Sequence, residues 1–393
     1  MKTFKILAFT FLVIFSILIG LIALIVFTDA PYPSFDTTYQ TGVRDFAWTD
    51  STRYDAATEA ARTILIRVWY PADSNGIPTN RFHPNSDLFS SEISEQYGIP
   101  EVVVQRLSNS HTKSIMDAPI SLVNDAYPVL LFSHGMNGSR VQNTAQMEYL
   151  AGNGFVVFGI EHTGTSIGTV LPDGAQPGYH SFTGMIRDSF SDTLVVTWSD
   201  DQLFVVKMID SLKTTGIDEL FTKLDLEQIG LFGHSYGGHT SAYTLARSDR
   251  FITGINMDGY YFGTFEKKQF KQPFLEIRAP WPSLDSWNDN ELEEMGVSKN
   301  YMESIPKNWD HRLNTMALNG AIRIIVEGSN HMTFSDFLRV VPFRNLFLPD
   351  YDRQYLFTME LTRSWFDHTM NGGILSDFKI PESPDLDIYV EYF

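Results

Sequence analysis

The run Gly233-His234-Ser235-Tyr236-Gly237-Gly238 constrains this chain more than any other feature. It follows directly on the apolar stretch Ile229 to Phe232 and precedes the helical run His239 to Ala246. A serine flanked by glycines at such a junction is the pattern of a nucleophile elbow. The turn is so tight that larger side chains at the glycines collide, and the serine hydroxyl is pushed out beyond the sheet edge. An elbow of this kind needs a mainly parallel sheet beneath it, with helices on both faces.

The rest of the sequence supplies the parts. Short apolar runs of the kind found in buried parallel strands occur at Ile64 to Tyr70, Val129 to Phe132, Phe155 to Ile160, Ile252 to Met257, Phe274 to Ile277 and Ile322 to Val326. Helical periodicity is clearest from Asp192 to Lys213, where Leu194, Trp198, Val205, Met208, Ile209 and Leu212 share a stripe that Asp201 interrupts. Asp201 reads as a buried, hydrogen-bonded group. Segments 85–118, 164–189 and 281–312 fit no strand-helix unit and read as insertions over the carboxyl edge of the sheet, where insertions shape pockets. Residues 31–393 read as one catalytic domain, with 1–30 as a separate N-terminal segment.

A serine hydroxyl is a weak nucleophile at neutral pH and needs a histidine to take its proton and a carboxylate to orient that imidazole. His239, His311, His331 and His368 follow the serine. Of these, His331 lies in a loop just beyond the strand Ile322 to Val326, at a carboxyl end where catalytic residues belong. His239 reads as a packing residue. For the acid, Asp258 ends the strand Ile252 to Met257, while Asp285 and Asp289 follow the next strand; position alone does not choose among them. The developing oxyanion needs backbone donors. The amide of Tyr236 is one candidate, and that of Met136 in the loop Ser133-His134-Gly135-Met136-Asn137-Gly138 is the other.

Taken together, the Phe132-Ser133-His134-Gly135 loop, Glu161-His162, the elbow, and His331 followed by Phe334 and Asp336 resemble, in order, the platelet-activating factor acetylhydrolase family and its bacterial relatives. The resemblance covers roughly Thr41 to Leu338. It implies an α/β-hydrolase fold and a serine esterase acting through an acyl-enzyme on short-chain or platelet-activating-factor-like phospholipid esters. It carries the nucleophile to Ser235, the base to His331, the oxyanion donors to Met136 and Tyr236, and, through the family's serine-to-acid spacing, the acid to Asp258. The family's Glu-His pair is commonly followed by Arg-Asp, whereas Thr163-Gly164 follow here, as in the bacterial esterase branch. His134 and His162 stand as possible site-lining residues. A general carboxylesterase, lipase, polyester hydrolase or exopeptidase is the alternative within the enzymes, and a tethered binding protein the alternative outside them.

Composition narrows the partners. With 29 Lys+Arg against 47 Asp+Glu the net charge is −18, which repels nucleic acid and anionic surfaces. There is no Cys, so disulfides and a thiolate nucleophile are excluded. No metal motif is present, and a serine triad needs neither metal nor cofactor. From Ile6 to Phe27 the chain is apolar apart from Thr10, Ser16 and Gly20, with Lys2 and Lys5 before it and Asp29 and Asp36 after. This predicts a membrane-spanning helix, or a signal segment ending near Ala30, with the catalytic domain outside the cytoplasm. Aromatics at Tyr260, Tyr261, Phe262, Phe265, Phe343, Phe347, Tyr351 and Tyr355 read equally as pocket or core.

Overall fold

The computed structural model describes residues 2–74, 76–78, 81–179, 188–263, 269–281, 298–342 and 344–393. Helix α1 (Lys2–Phe27) leads to the long hairpin β1 (Gln40–Asp55) and β2 (Ala60–Ala72), then α2 (Ser86–Tyr97), α3 (Glu101–Ser108) and the short β3 (Ile115–Met116). Next come β4 (Tyr127–Ser133), α4 (Thr144–Gly152), β5 (Val156–Glu161), α5 (Asp188–Thr215), α6 (Glu219–Thr222), β6 (Leu224–His234) and α7 (Tyr236–Leu245). The chain closes with β7 (Thr253–Met257), β8 (Phe274–Arg278), α8 (Lys299–Met316), β9 (Ile322–Val326), α9 (Arg344–Phe347), α10 (Tyr351–Met370) and β10 (Ile388–Tyr392).

Among the described residues, ten strands form one sheet in the order β10-β9-β8-β7-β6-β4-β5-β2-β1-β3. The strands from β9 to β5 run parallel, whereas β10 and β2 join antiparallel. The expected α/β architecture with a mainly parallel sheet is therefore present. In β4, Val129 and Leu131 face a core shared with α5 and α8, while Leu130 and Phe132 face a core shared with α4 and α10. Period-2 alternation with both faces covered is why these strands read as continuous apolar runs.

Three departures have physical causes. Strand β1 alternates buried and exposed residues and carries Arg44, Asp45, Thr49 and Asp50, so it has no apolar run to read. Strand β10 is a half-exposed edge. Within 281–312, Lys299 onward belongs to a crossover helix whose Met302, Ile305, Trp309 and Leu313 are buried in the core, so this part is not an insertion over the sheet edge; residues 282–297 lie outside the described set.

The N-terminal segment is helical, and its described apolar side chains, such as Phe9, Phe11, Leu12 and Ile14, are exposed. Among the described residues, however, no helix is long and apolar enough to cross a membrane. The membrane-spanning expectation is therefore not supported. Just beyond α1 the chain is tied down: Ala30 is buried and its amide donates to the Arg106 carbonyl.

Candidate active site

The loops after β4, β6, β7 and β9 leave the same edge of the sheet because those strands are parallel. At the end of β6, Ser235 has φ 55° and ψ −123°, a strained conformation for a residue with a Cβ. Its amide donates to the Met257 carbonyl at 2.8 Å, and its carbonyl accepts from Gly238 and His239, so the first turn of α7 holds the strain. The glycine requirement is steric: a Cβ on Gly237 would lie 2.0 Å from the Ser133 carbonyl oxygen, and one on Gly233 2.3 Å from the Gly237 carbonyl carbon. The elbow and the β4 loop are thus pressed backbone to backbone.

Asp258 follows β7, again at positive φ. Its Oδ1 accepts from the Ala279 amide at 2.9 Å, and its Oδ2 lies 2.7 Å from His331 Nδ1. A carboxylate only accepts, so Nδ1 carries the proton and Nε2 is left with its lone pair. His331 opens a short 3-10 turn fixed by a reciprocal cap between Asn330 and Thr333, which sets where the imidazole leaves the backbone. The ring is 47% exposed and lines the same cavity as Ser235. The structure records no hydrogen bond between the Ser235 hydroxyl and this imidazole; in unliganded sites such contacts are often long and tighten with substrate. Asp285 and Asp289, the other candidate acids, lie outside the described residues.

In the loop after β4 the structure records no acceptor for the Met136 amide among the described residues, and Tyr236 is the first residue of α7. Met136 and Tyr236 share one small apolar cluster with Val195 and Trp198. A second arrangement went unread in the sequence. The Gly135 amide donates to Gln142 Oε1 at 2.9 Å, Gln142 Nε2 donates to His234 Nδ1 at 2.7 Å, and His234 Nε2 donates to the His331 carbonyl at 2.8 Å. Burial, helped by the nearby His331, pushes the His234 pKa down to about 3, so this ring stays neutral as the chain of bonds requires. The chain of bonds joins the loop after β4, the residue before the elbow serine and the backbone of His331. Replacing Gln142 with Leu strips a partner from both the Gly135 amide and His234. Steady-state kinetics should show kcat/KM for a short ester lowered by on the order of tenfold to a hundredfold, because small misplacements of reacting groups are costly.

The shared cavity has a volume of about 250 Å³. Phe82, Phe89, Ile93, Tyr97, Leu107 and Phe337 form its apolar wall. Phe89, Ile93 and Tyr97 recur every fourth residue on α2, a stripe visible in the sequence once this segment is taken as helix. Among the described residues, none of the aromatics singled out in the sequence lines it: Tyr261, Tyr351 and Tyr355 are buried in the core and Phe347 is exposed, while Phe265 and Phe343 lie outside the described residues. His134 and His162, read as possible site-lining residues, are fully buried and do not line it either. They sit behind the loop that follows β4. Glu161 is buried too, its carboxylate 2.9 Å from Arg140.

The chain is similar to several known proteins. At 25% identity over 302 residues, the chain is similar to platelet-activating factor acetylhydrolase from Cavia porcellus, the match covering 70% of this chain and 64% of that protein. It is also similar, at 25% identity over 316 residues, to a probable 1-alkyl-2-acetylglycerophosphocholine esterase from Arthroderma benhamiae, covering 75% of this chain and 73% of that one. Matches to the dog and cattle acetylhydrolases span about half of those proteins, 50% and 54%. A ferulic acid esterase from Streptomyces cinnamoneus shares the fold, with a TM-score of 0.69 at 20% identity over 92% of this chain and 99% of that one. The profile of the platelet-activating factor acetylhydrolase, isoform II, family matches residues 26–176 and 204–345, and the chain belongs to that family.

Proposed function

We propose that this protein hydrolyses carboxylic esters, with Ser235 as nucleophile, His331 as general base and acid, and Asp258 orienting the imidazole. The observation that carries the reading is the 2.7 Å His331–Asp258 contact beside a cavity that Ser235 also lines. Ser235 Oγ attacks the ester carbonyl while its proton passes to His331 Nε2. The amides of Met136 and Tyr236 hold the oxyanion, and Asp258 stabilises the imidazolium through Nδ1. Collapse returns the proton to the departing alcohol and leaves an acyl-serine. Water, deprotonated by the same imidazole, then releases the acid.

The substrate proposed is a phospholipid ester with a short acyl group, on the names of the curated relatives and on cavity size. An apolar cavity of ~150 Å³ takes a benzene-sized ligand, so one of about 250 Å³ has room for an acyl group of a few carbons. The net charge of −18 favours a zwitterionic or neutral lipid over an anionic one. In this reading the catalytic domain lies outside the cytoplasm, on the Lys2 and Lys5 charges before the apolar N-terminal stretch and the aspartates after it.

A fluorophosphonate probe should label the intact protein at Ser235, and nitrophenyl ester turnover should fall once the acyl chain passes a few carbons. Absence of labelling in folded protein would favour a binding protein that kept the fold without the chemistry. Turnover that rises toward long chains would replace the phospholipid reading with a lipase.

A further inference from the structure

Behind the oxyanion loop lies a second serine-histidine-aspartate set that the mechanism does not use. Ser133, the last residue of β4, has its Oγ 2.9 Å from His162 Nε2, and His162 Nδ1 is 2.9 Å from Asp201 Oδ2. Gln202 Nε2 donates to Ser133 Oγ at 2.9 Å. Because that oxygen already accepts, its own proton is directed to His162 Nε2, and the imidazole donates from Nδ1 to the carboxylate. Burial holds the His162 pKa down even against the pull of Asp201, so the ring is neutral and the donor-acceptor pattern is single-valued.

Asp201 is fixed in turn. Arg62 grips it through both oxygens, Nε to Oδ1 at 2.7 Å and a terminal nitrogen to Oδ2 at 2.6 Å, and Arg53 adds a contact to Oδ1 at 2.8 Å. Burial alone would raise this carboxyl, yet the Arg62 charge and hydrogen bonds, with those of His162, keep it well below the usual carboxylate range. Ser133, His162, Asp201 and Gln202 are all fully buried, and none of them lines the cavity. No ester can reach Ser133, so this set is not a second hydrolytic centre.

Its contacts lead to the oxyanion donors instead. Trp198 stacks on His162 with ring centroids 3.9 Å apart and meets Tyr236 edge-on at 5.0 Å. Trp198 Nε1 donates to Thr165 Oγ1 at 3.1 Å, and the Thr165 carbonyl accepts from the Asn137 amide at 3.0 Å. His134 Nε2 accepts from the His162 amide at 3.2 Å. The loop that carries Met136 is therefore held on one side by Ser133 and His134 and on the other by Asn137, and the same indole presses on Tyr236.

We infer that Ser133, His162, Asp201 and Trp198 form a positioning unit that fixes the Met136 amide relative to the Tyr236 amide, so that the oxyanion hole is preorganised before substrate arrives. The inference rests on the proposed ester hydrolysis. Groups aimed at developing charge act in the transition state and not in substrate binding. Loosening the unit should therefore appear in kcat and spare KM.

The test uses the full-length chain and p-nitrophenyl acetate. Ser133→Ala removes the end of the relay nearest the loop. The expected result is kcat lowered about 10- to 100-fold, a smaller loss than the 100- to 1000-fold typical of deleting a whole oxyanion donor. KM should stay within about twofold. The Ki of a trifluoromethyl ketone, which forms a tetrahedral adduct on the serine, should rise by the same factor as kcat/KM falls. His162→Gln, which can still place a polar atom near Ser133, should recover part of the loss that His162→Phe shows. Unchanged kcat and Ki in folded Ser133→Ala, or a loss confined to KM, would overturn the inference. If Ser133→Ala does not fold, Trp198→Phe decides by the same readouts, since it keeps an aromatic ring beside His162 while it removes the indole bond to Thr165 and part of the packing on Tyr236. A wild-type chain that neither turns over the ester nor takes a fluorophosphonate would instead sink the hydrolase reading.

Discussion

Ser235→Ala should lower kcat for ester hydrolysis by about 10⁴- to 10⁶-fold while the protein keeps its fold and its melting temperature within a few degrees. Loss of a triad nucleophile elsewhere costs that much, because the remaining groups have nothing to activate. The structure adds a reason for an intact fold. The bonds that hold the elbow come from the backbone of Ser235, with its amide on Met257 and its carbonyl on Gly238 and His239, and alanine retains all of them. The positive φ of 55° is equally available to alanine, so the strain is unchanged. His331→Ala should give a loss of similar size, and the double variant should be little worse than either single one, since both remove the same step. Stopped-time assays with high enzyme concentration measure such residual rates. Activity of Ser235→Ala above ~1% of wild type would remove this serine from the nucleophile's role.

Ser235 and His331 were legible in the sequence because each sits in a local signature: a glycine-serine-glycine turn with a strand before it, and a loop just after the strand Ile322–Val326. The core strands were legible because burial on both faces makes them uniformly apolar. What stayed hidden depends on tertiary pairing. Asp201 was readable as a buried polar group, but its partners Arg62 and His162 lie far away in the chain and nothing local announces them. Gln142 carries no motif and His234 fills an unspecified position of the elbow pattern; their contact arises only when the loop after β4 meets the elbow. His134 and His162 fell on loops at the right edge of the sheet, yet their direction, behind the loop and not into the cavity, is set by Trp198 from α5. The cavity wall was half visible: segment 85–118 was placed over the site, but its Phe89, Ile93, Tyr97 stripe emerges only with the boundaries of α2.

The acid is the residue whose substitution says most about the proposed site, because family spacing points to Asp258 over Asp285 and Asp289. Asp258 Oδ1 is committed to the Ala279 amide at 2.9 Å, which leaves only Oδ2 for His331. In Asp258→Asn the carbonyl oxygen must stay with Ala279, since an amide N–H cannot face another N–H, and the side-chain NH₂ is thereby turned toward His331 Nδ1. The imidazole must then accept at Nδ1 and carry its proton on Nε2, the nitrogen that should receive the serine proton. Asp258→Asn should accordingly lose ~10³- to 10⁴-fold in kcat with KM nearly unchanged. Fluorophosphonate labelling should slow in parallel, while thermal unfolding barely moves because the Ala279 contact survives. Asp285→Asn and Asp289→Asn should remain within a few-fold of wild type. The opposite pattern, an active Asp258→Asn beside a crippled Asp285→Asn or Asp289→Asn, would move the acid to the loop after β8 and make the 2.7 Å contact a structural one.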